Sequence, residues 1–299
     1  MSPRKYATDE AFRIALEERV KAAAKAQGHL DANRQRQLLL ADRFLARVTT
    51  ELGNSVVAKG GIALELRLPR ARATKDLDLH VSGSSELLLD RLQLAGRRDL
   101  ADRLRFEIST EPEDLRTIEG EGVLYQGLRF RVSAVLAGRR YGDRFGLDVV
   151  FGAKPKGEVD ELKGLDLLSF AGVTRGRYRL YPRELHVAEK LHAYTMPRRA
   201  PNSRVKDLPD LALLAQTGAF ERKDLRAAID STFRARKTHA VPAALPSPPA
   251  AFWTSGYARI ARVNRLEWAT LDDVLAAARA FVDPVLQGQG ERWNGSKWV

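Results

Sequence analysis

Residues 56–61 of the chain read VVAKGG and residues 76–79 read DLDL, and these two short stretches are its most informative feature. The first predicts a short apolar strand that runs into a glycine turn, with the apolar spacing of a short helix over residues 62–67. The start of a helix presents backbone N–H groups to an anion, and Gly60 and Gly61 add no side chain that would block them. This turn is therefore predicted to bind a phosphate.

Two carboxylates follow on one face of the next predicted strand. Asp76 and Asp78 are two residues apart, and alternate residues of a strand project to the same side. Two like charges side by side repel unless a cation lies between them, and Mg²⁺ prefers such oxygen ligands. The alternative interpretation is a turn or a cap at the strand start. Together with the glycine turn, the pair predicts a site for a metal-bound nucleoside triphosphate.

A third acid, Asp148, interrupts the apolar run FGLDVVF at residues 145–151. A carboxylate inside such a run is costly unless it is paired or bound to a metal. Asp148 is therefore predicted to be a third metal ligand, with a hydrogen bond to a turn at the strand end as the alternative.

The composition predicts a soluble and basic protein. Of its 299 residues, 44% are hydrophobic and 29% charged, and no apolar run approaches the roughly 20 residues that span a bilayer. The first residues lack the apolar segment of a secretory signal, and there is no cysteine for a disulfide or a thiolate site. We therefore expect a cytoplasmic protein without a membrane partner. The net charge of +12 favours a polyanion such as nucleic acid, unless a GC-rich coding preference alone enriches arginine.

The periodicity of the chain predicts an α+β protein in two lobes. Residues 1–180 are predicted to hold N-terminal helices and a mixed sheet, and residues 181–299 a helical lobe, with a cleft between them. In the first lobe, helices are predicted within residues 8–52 and over 84–104, and strands after the DLDL strand over 105–109, 128–137 and 145–151. Helices of the second lobe are predicted over 183–195, 208–215, 225–233, 253–260 and 271–286.

The second lobe is predicted to supply cations. Lys190 follows His186 by one helical turn, so both side chains lie on one face of their helix. Transfer from a triphosphate needs cations on the departing pyrophosphate, and Lys190 is the best placed for this role. A basic loop after this helix could close over the nucleotide, and it carries Arg198, Arg199, Arg204 and Lys206. The alternatives are a surface lysine and a solvated loop.

Asp207 and two histidines have more ordinary interpretations. Asp207 precedes Leu208 and a proline, which is typical of a helix N-cap, although a carboxylate at a cleft can also act as a base. His186 and His192 are interpreted as packing or hydrogen-bonding residues rather than metal ligands. The chain has no HExxH zinc motif, no Walker lysine loop and no GxSxG serine motif, which argues against those three kinds of site.

Taken in order, the motifs resemble those of one protein family. They read Lys59-Gly60-Gly61-x-Ala63-Leu64, Arg72-x-Thr74-x-Asp76-Leu77-Asp78, Asp148, Glu189-Lys190-Leu191-x-Ala193 and Ser203-Arg204-x-Lys206-Asp207-Leu208-x-Asp210-Leu211. This set is similar to that of the AbiEii/AbiGii toxins, a branch of the nucleotidyltransferase superfamily that includes the MenT toxins. The resemblance extends from about residue 10 to residue 288. It implies that the first lobe has the nucleotidyltransferase (DNA polymerase β-like) fold.

The resemblance also implies a role for each matching residue. The catalytic residues would be Asp76, Asp78, Lys190 and Asp207, with Asp207 tied to the lysine helix and a possible base. Mg²⁺ would be bound by Asp76, Asp78 and Asp148. The nucleotide would be bound by Lys59, Gly60, Gly61, Lys190, Arg204 and Lys206. Apart from the resemblance, the net charge of +12 predicts that RNA contacts basic residues on a strand, a hairpin and the loop, namely Arg129, Arg131, Arg139, Arg140, Arg198 and Arg199.

The activity that the resemblance implies is nucleotide transfer from an NTP to the 3′ end of tRNA, which would block translation. The donor would be CTP or another pyrimidine nucleotide, and the partners would be the tRNA acceptor end and a cognate antitoxin protein. One alternative is an enzyme that nucleotidylates or phosphorylates a protein or modifies an aminoglycoside, although the basic charge argues against an aminoglycoside. The other is a domain that binds a nucleotide or a partner without catalysis, although the intact aspartate pair argues against it.

Overall fold

An eight-stranded mixed sheet forms the centre of the N-terminal half of the protein, and helices make up most of the C-terminal half. The computed structural model describes residues 6–28, 31–68, 71, 74–84, 86–110, 119–120, 123–124, 127–198 and 204–299. The helices are α1 (Asp9–Gln27), α2 (Ala32–Leu52), α3 (Gly60–Arg67), α4 (Leu88–Arg97), α5 (Arg183–Thr195), α6 (Asp207–Ala215), α7 (Arg222–Arg236), α8 (Ala250–Asn264) and α9 (Leu271–Gln287).

The strands are β1 (Val56–Lys59), β2 (Asp76–Ser82), β3 (Arg105–Ser109), β4 (Glu119–Gly120), β5 (Val123–Leu124), β6 (Gly127–Leu136), β7 (Arg139–Arg140), β8 (Phe145–Gly152), β9 (Asp160–Lys163), β10 (Arg177–Leu180), β11 (Phe220–Glu221) and β12 (Arg292–Trp293). The sheet order is β3-β6-β8-β2-β1-β10-β9, with β7 on β6. The pairs β1–β10 and β2–β8 are parallel, and the other pairs of this sheet are antiparallel. The predicted α+β class, with a mixed sheet followed by helices, is confirmed.

Two hydrophobic cores flank the site, and α3 contributes to both. Ile62 of α3 packs in the core of the sheet half, whereas Leu64, two residues later, packs in the core of the helical half. Both side chains are almost fully buried. Helix α3 therefore packs against both cores at once. The glycine turn that begins α3 is held in place between the two halves of the protein. The domain boundary at residue 180 stays a prediction.

The helix predicted over residues 84–104 is shorter in the structure, where α4 ends at Arg97. The reason is Asp102, which is buried and accepts hydrogen bonds from Arg43 at 2.7 Å and Arg47 at 2.5 and 2.8 Å. Its Oδ1 also accepts from the Leu104 amide at 3.1 Å, a turn that a continuing helix would not allow. Strands β9 and β10 were not predicted, since both are four residues long and rich in charges.

The N-terminal pair of helices follows the sequence prediction closely. Thr8 and Asp31 cap α1 and α2, because each side chain accepts a hydrogen bond from a backbone N–H in the first turn. Gly28 ends α1 in the left-handed conformation that glycine adopts without strain. Within the residues that the structure describes, no helix is both long enough and apolar enough to cross a bilayer.

Candidate active site

The glycine turn and the aspartate pair are packed directly against each other. Gly60 begins α3 with a φ of +63°, and a Cβ atom at this position would overlap Oδ2 of Asp78. The same close approach occurs on the neighbouring strand, where a Cβ on Gly146 would lie 2.5 Å from Oδ1 of Asp76. Two glycines therefore make the room in which these carboxylates lie. Gly61 packs on Thr74, whose Cβ would be 2.6 Å from an added Cβ.

Strand register brings the three predicted carboxylates together. Asp78 on β2 is the direct partner of Asp148 on the parallel strand β8, and Asp76 lies two residues before it. Burial, followed by the negative charges of Asp148 and Asp76, raises the pKa of Asp78 to about 6, although Lys59 and Lys190 oppose the shift. The carboxylates of Asp148 and Asp76 thus repel the charge of Asp78, and a cation bound between them would relieve this repulsion.

Asp148 is already paired in the structure. Arg129 on β6 lies directly opposite it and donates two hydrogen bonds of 2.6 Å, one to each carboxylate oxygen. A bidentate pair of this kind satisfies a carboxylate well. Arg129, which the sequence predicts to bind RNA, is therefore paired with an acid on the neighbouring strand. Metal binding by Asp148 stays a prediction.

The residues present fit a divalent metal ion. The two glycine-backed carboxylates of Asp76 and Asp78 supply oxygen ligands on one face of β2. Among the described residues, no group of three or more histidine, aspartate or glutamate side chains is arranged to hold a metal. Two carboxylates are a common protein contribution to such an ion, whose shell is then completed by substrate phosphates and water.

A cavity of about 270 Å³ separates this carboxylate wall from the helical half. It is lined by Lys59, Gly60, Asp78, His186, Glu189, Lys190, Ala193, Arg204, Asp207 and Arg236. The sequence predicted six of these residues to belong to the site: Lys59, Gly60, Asp78, Lys190, Arg204 and Asp207. Charged residues of α5 and α6 also line this cavity, opposite Asp78.

Lys190 is fixed by two carboxylates of α6. Its Nζ lies 2.8 Å from Oδ1 of Asp207 and 2.8 Å from Oδ2 of Asp210, and both acids are buried. The N-cap interpretation of Asp207 is wrong, because Lys206 occupies the cap position and Asp207 is the first residue of α6. The carboxylate of Asp207 pairs with Lys190 through Oδ1, and Nε of Arg204 lies 4.0 Å from its Oδ2. This geometry holds the ammonium group of Lys190 at the edge of the cavity.

The sequence did not predict Glu189 and Arg236 as site residues. Glu189 on α5 binds Lys59 at 3.0 Å, accepts a hydrogen bond from Tyr181 at 3.0 Å and lies 3.5 Å from Arg236. Burial opposes the charge of Glu189, but Lys59 and then Arg236 outweigh it and lower its pKa to about 2. Arg236 is the last residue of α7, distant in sequence from every motif, and only the packing of α5 on α7 brings it to the cavity.

His186 lines the same cavity and is buried as a neutral imidazole. Burial, followed by the charge of Lys190, lowers its pKa to about 3. Within the described part of the chain neither ring nitrogen has a hydrogen-bond partner. His192 lies six residues further along the same helix. Its Nε2 is hydrogen-bonded to the Thr238 hydroxyl at 2.7 Å, and its Nδ1 accepts a hydrogen bond from Arg236 at 3.1 Å, as expected of a hydrogen-bonding histidine.

Several predicted residues lie outside this cavity. Lys206 and Asp76 line a neighbouring groove, and Gly61 is the second residue of α3, next to the cavity-lining Gly60. Arg139 and Arg140 are exposed on the short edge strand β7, and Arg131 is partly buried on β6. Arg198 is half-buried and donates to the Ala193 carbonyl at 3.2 Å. Arg199 lies outside the described residues.

Comparison with protein-family models gives a finding that does not depend on this geometry. The model for the nucleotidyl transferase AbiEii toxin of type IV toxin–antitoxin systems matches residues 43–284. The chain belongs to the AbiEii nucleotidyltransferase toxin family. Membership of this family implies a nucleoside triphosphate substrate, a divalent metal in most cases and an antitoxin partner. It also accords with the predicted nucleotidyltransferase fold of the sheet half.

Solved structures of distant relatives resemble the chain over most of its length. MenT4, a nucleotidyltransferase toxin of Mycobacterium tuberculosis H37Rv, is 18% identical, with a TM-score of 0.49 over 89% of this chain and 99% of its own. JHP933 of Helicobacter pylori is 15% identical, with a TM-score of 0.43 over 84% and 92%. A nucleotidyltransferase of H. pylori, described as putative, is also 15% identical, with a TM-score of 0.42 over 84% and 95%. No curated protein matches the chain.

Proposed function

We propose that this AbiEii-family protein transfers a nucleotide from an NTP to the 3′ end of tRNA and so blocks translation. The observation that carries the proposal is the pairing of two walls across one cavity, with the glycine-backed Asp78 on one and Lys190, Arg204 and Arg236 on the other. Carboxylates that hold a metal, set opposite cations that receive pyrophosphate, are what phosphoryl transfer from a triphosphate requires.

The residues of the chain bind and orient the donor. Gly60 begins α3 beside Asp78 and lines the cavity, where the backbone N–H groups at the N-terminus of α3 would bind a phosphate. Lys190 and Arg236 supply positive charge where negative charge develops on the departing pyrophosphate. Asp207 and Asp210 position Lys190, and Glu189 positions Arg236 and Lys59. The role of Asp207 as a base stays a prediction.

Asp76 and Asp78 would hold the divalent ion, for which we propose Mg²⁺ because both donors are hard carboxylate oxygens. When bound, the ion supplies charge neutralisation for the phosphates. In the transfer itself, the 3′ hydroxyl of the acceptor gives its proton to solvent water, and its oxygen forms a bond to the α-phosphorus. The bond from that phosphorus to the bridging oxygen breaks, and pyrophosphate leaves with the electron pair. The products are pyrophosphate and an RNA longer by one nucleotide.

The acceptor, the donor base and the compartment complete the proposal. A net charge of +12 supports RNA as the acceptor, since phosphate contacts dominate the affinity of basic proteins for nucleic acid. We propose a pyrimidine donor such as CTP from the family resemblance of the motifs. Because tRNA is charged and used in the cytoplasm, we propose that the protein acts there.

The test combines purified protein, Mg²⁺, total tRNA and each α-³²P-labelled NTP in turn, with products resolved on a denaturing gel. Label on tRNA with one NTP, absent for Asp78→Ala, is the expected result and would identify the donor. The control is Asp224→Ala, which removes an exposed acid from the first turn of α7, away from the cavity. Label on protein would favour a protein-modifying enzyme, and no label on either fraction would contradict the proposal.

A further inference from the structure

A second opening lies beside the aspartate pair, next to the cavity described above, which we call the triphosphate cavity. This groove, of about 660 Å³, runs between the start of α2, the start of β2 and one face of α8. Asp76 lines the groove, whereas Asp78 lines the triphosphate cavity. The basic loop is divided in the same way, because Arg204 faces the cavity and Lys206 faces the groove. The two openings therefore meet at the proposed metal ligands.

The groove is suited to a polyanion. Four of its cations are exposed, Lys75, Arg144, Lys206 and Arg259, and within the described residues none has an acidic side chain in ion-pair distance. Three acids, Asp31, Asp76 and Asp143, also line the groove, and its cations outnumber them. Asp31 caps α2 by accepting from the Arg34 amide, and Asp143 accepts a hydrogen bond from Asn33 at 3.2 Å. Positive charge in the groove is thus left to attract phosphates.

The groove also offers a surface for a base. Val263 of α8 is 64% exposed, and Ile260 lies one turn before it on the same wall. Aliphatic side chains between cations suit a strand whose unstacked bases contact the apolar residues and whose phosphates contact the cations.

The chemistry of transfer requires two openings of this kind. In an in-line displacement at the α-phosphorus, the attacking oxygen and the leaving oxygen lie on opposite sides. In the proposed function the leaving pyrophosphate lies in the cavity beside Asp78, which Lys190 and Arg236 also line. We infer that the groove beside Asp76 binds the single-stranded 3′ end of the acceptor RNA through its phosphates, an inference that rests on the proposed function. The strand enters along α8 and ends at the aspartate pair.

This groove differs from the RNA surface predicted from the sequence. Arg129 is paired with Asp148, and Arg139 and Arg140 lie on the edge strand β7; none of them lines the groove. If RNA binds in the groove, charge reversal there weakens RNA binding; if RNA binds on the edge strand, charge reversal on β7 does so instead. A comparison of variants in the two places therefore tests the inference directly.

The experiment measures the KM of the protein for a 3′-CCA RNA hairpin and for the NTP, at one fixed salt concentration, in three double variants. Arg144→Glu/Arg259→Glu reverses the groove, and Arg139→Glu/Arg140→Glu reverses the edge strand. Arg97→Glu/Lys223→Glu is the matched control, since both residues are exposed and line neither opening. We expect the groove variant to raise the RNA KM at least about tenfold, with the NTP KM within about twofold. The control should change neither value by more than about twofold.

An unchanged RNA KM in the groove variant, or an equal rise in the edge-strand or control variant, would overturn the inference. Thermal unfolding checks that each variant is folded, and the single variants Arg144→Glu and Arg259→Glu replace any double variant that is not. If the wild type transfers no label to any RNA, the proposed function fails. Fluorescence anisotropy with the same hairpin then decides the groove by itself: weaker binding in the groove variant alone supports it, and equal binding in all variants overturns it.

Discussion

Gly60 and Asp78 are in such close contact that no side chain larger than hydrogen fits between them. The φ of Gly60 is +63°, and a Cβ there would overlap Oδ2 of Asp78. We expect Gly60→Ala to push the carboxylate out of place and to lower transfer activity by at least about a hundredfold, because small misplacements of catalytic groups cost this much. The measurement is kcat/KM for label transfer to tRNA.

The matched control is Gly138→Ala. Gly138 has a similar φ of +71°, but nothing lies within 4 Å of its added Cβ, so this variant isolates the cost of the backbone conformation. That cost is about 1 kcal/mol of stability and applies to both variants. Gly138→Ala should retain activity within about twofold. Similar activity in the two variants would show that the contact with Asp78 is unimportant.

Asp78 and Asp148 are neighbours in the sheet, yet we expect them to differ as metal ligands. Asp78→Asn should lower activity at least about a hundredfold, since it removes the charge of a proposed metal ligand. Asp148→Asn should cost less than about tenfold, because Arg129 already occupies both oxygens of Asp148. The comparison uses kcat/KM measured across a titration of Mg²⁺.

Equal losses in the two variants would assign Asp148 to the metal, as the sequence predicted. In that case Arg129 must release Asp148 when the metal binds, and Arg129→Met should increase the affinity for Mg²⁺. The fold is expected to survive all three changes, which circular dichroism would verify.

The Lys190 cluster should separate stability from activity. Lys190→Met leaves the buried carboxylates of Asp207 and Asp210 without their shared cation, and breaking such a buried pair costs about 3–5 kcal/mol of unfolding free energy. The triple variant Lys190→Met/Asp207→Asn/Asp210→Asn removes the stranded charges as well. We expect it to recover most of that stability in urea denaturation while transfer activity stays absent. Recovery of activity in the triple variant would contradict the proposed role of Lys190.

The sequence predicts those parts of the site that are local in the chain. Gly60 and Asp78 belong to a strand–turn–helix–strand unit whose period-2 and helical patterns are visible in a window of a few residues. Lys190 and Asp207 stand in two further motifs, each at the start or middle of one helix. The sheet class follows in the same way from the apolar alternation of β2 and β6 and from the apolar run of β8.

The remaining features depend on contacts between distant parts of the chain. Arg236 reaches the cavity because α7 packs on α5, and no pattern around residue 236 indicates this. The pair of Arg129 with Asp148 follows from the register of β6 on β8, which the alternation of residues does not specify. The early end of α4 follows from Asp102, whose partners Arg43 and Arg47 lie on α2.

His186 should make the protein less stable in acid. Burial lowers the folded-state pKa of His186 to about 3, whereas in the unfolded chain it is near 6.5, so the unfolded state binds a proton between these values. The stability that neutral His186 contributes is complete above pH 6.5 and is lost as the pH falls toward 3. Between pH 7 and pH 5 the loss is about 2 kcal/mol for this one group.

The test is urea denaturation followed by tryptophan fluorescence at pH 7, 6 and 5, in the wild type and in His186→Leu. Leucine is similar in bulk and cannot titrate, so the stability of the variant should fall by about 2 kcal/mol less than that of the wild type over this range. His192→Leu is the comparison, because His192 has a lowered pKa of about 4 but hydrogen-bond partners on its ring. That variant should show the same pH effect and, unlike His186→Leu, a loss of stability at pH 7, since Thr238 and Arg236 lose their partner. Parallel pH profiles for the wild type and His186→Leu would show that His186 is not the buried neutral group described above.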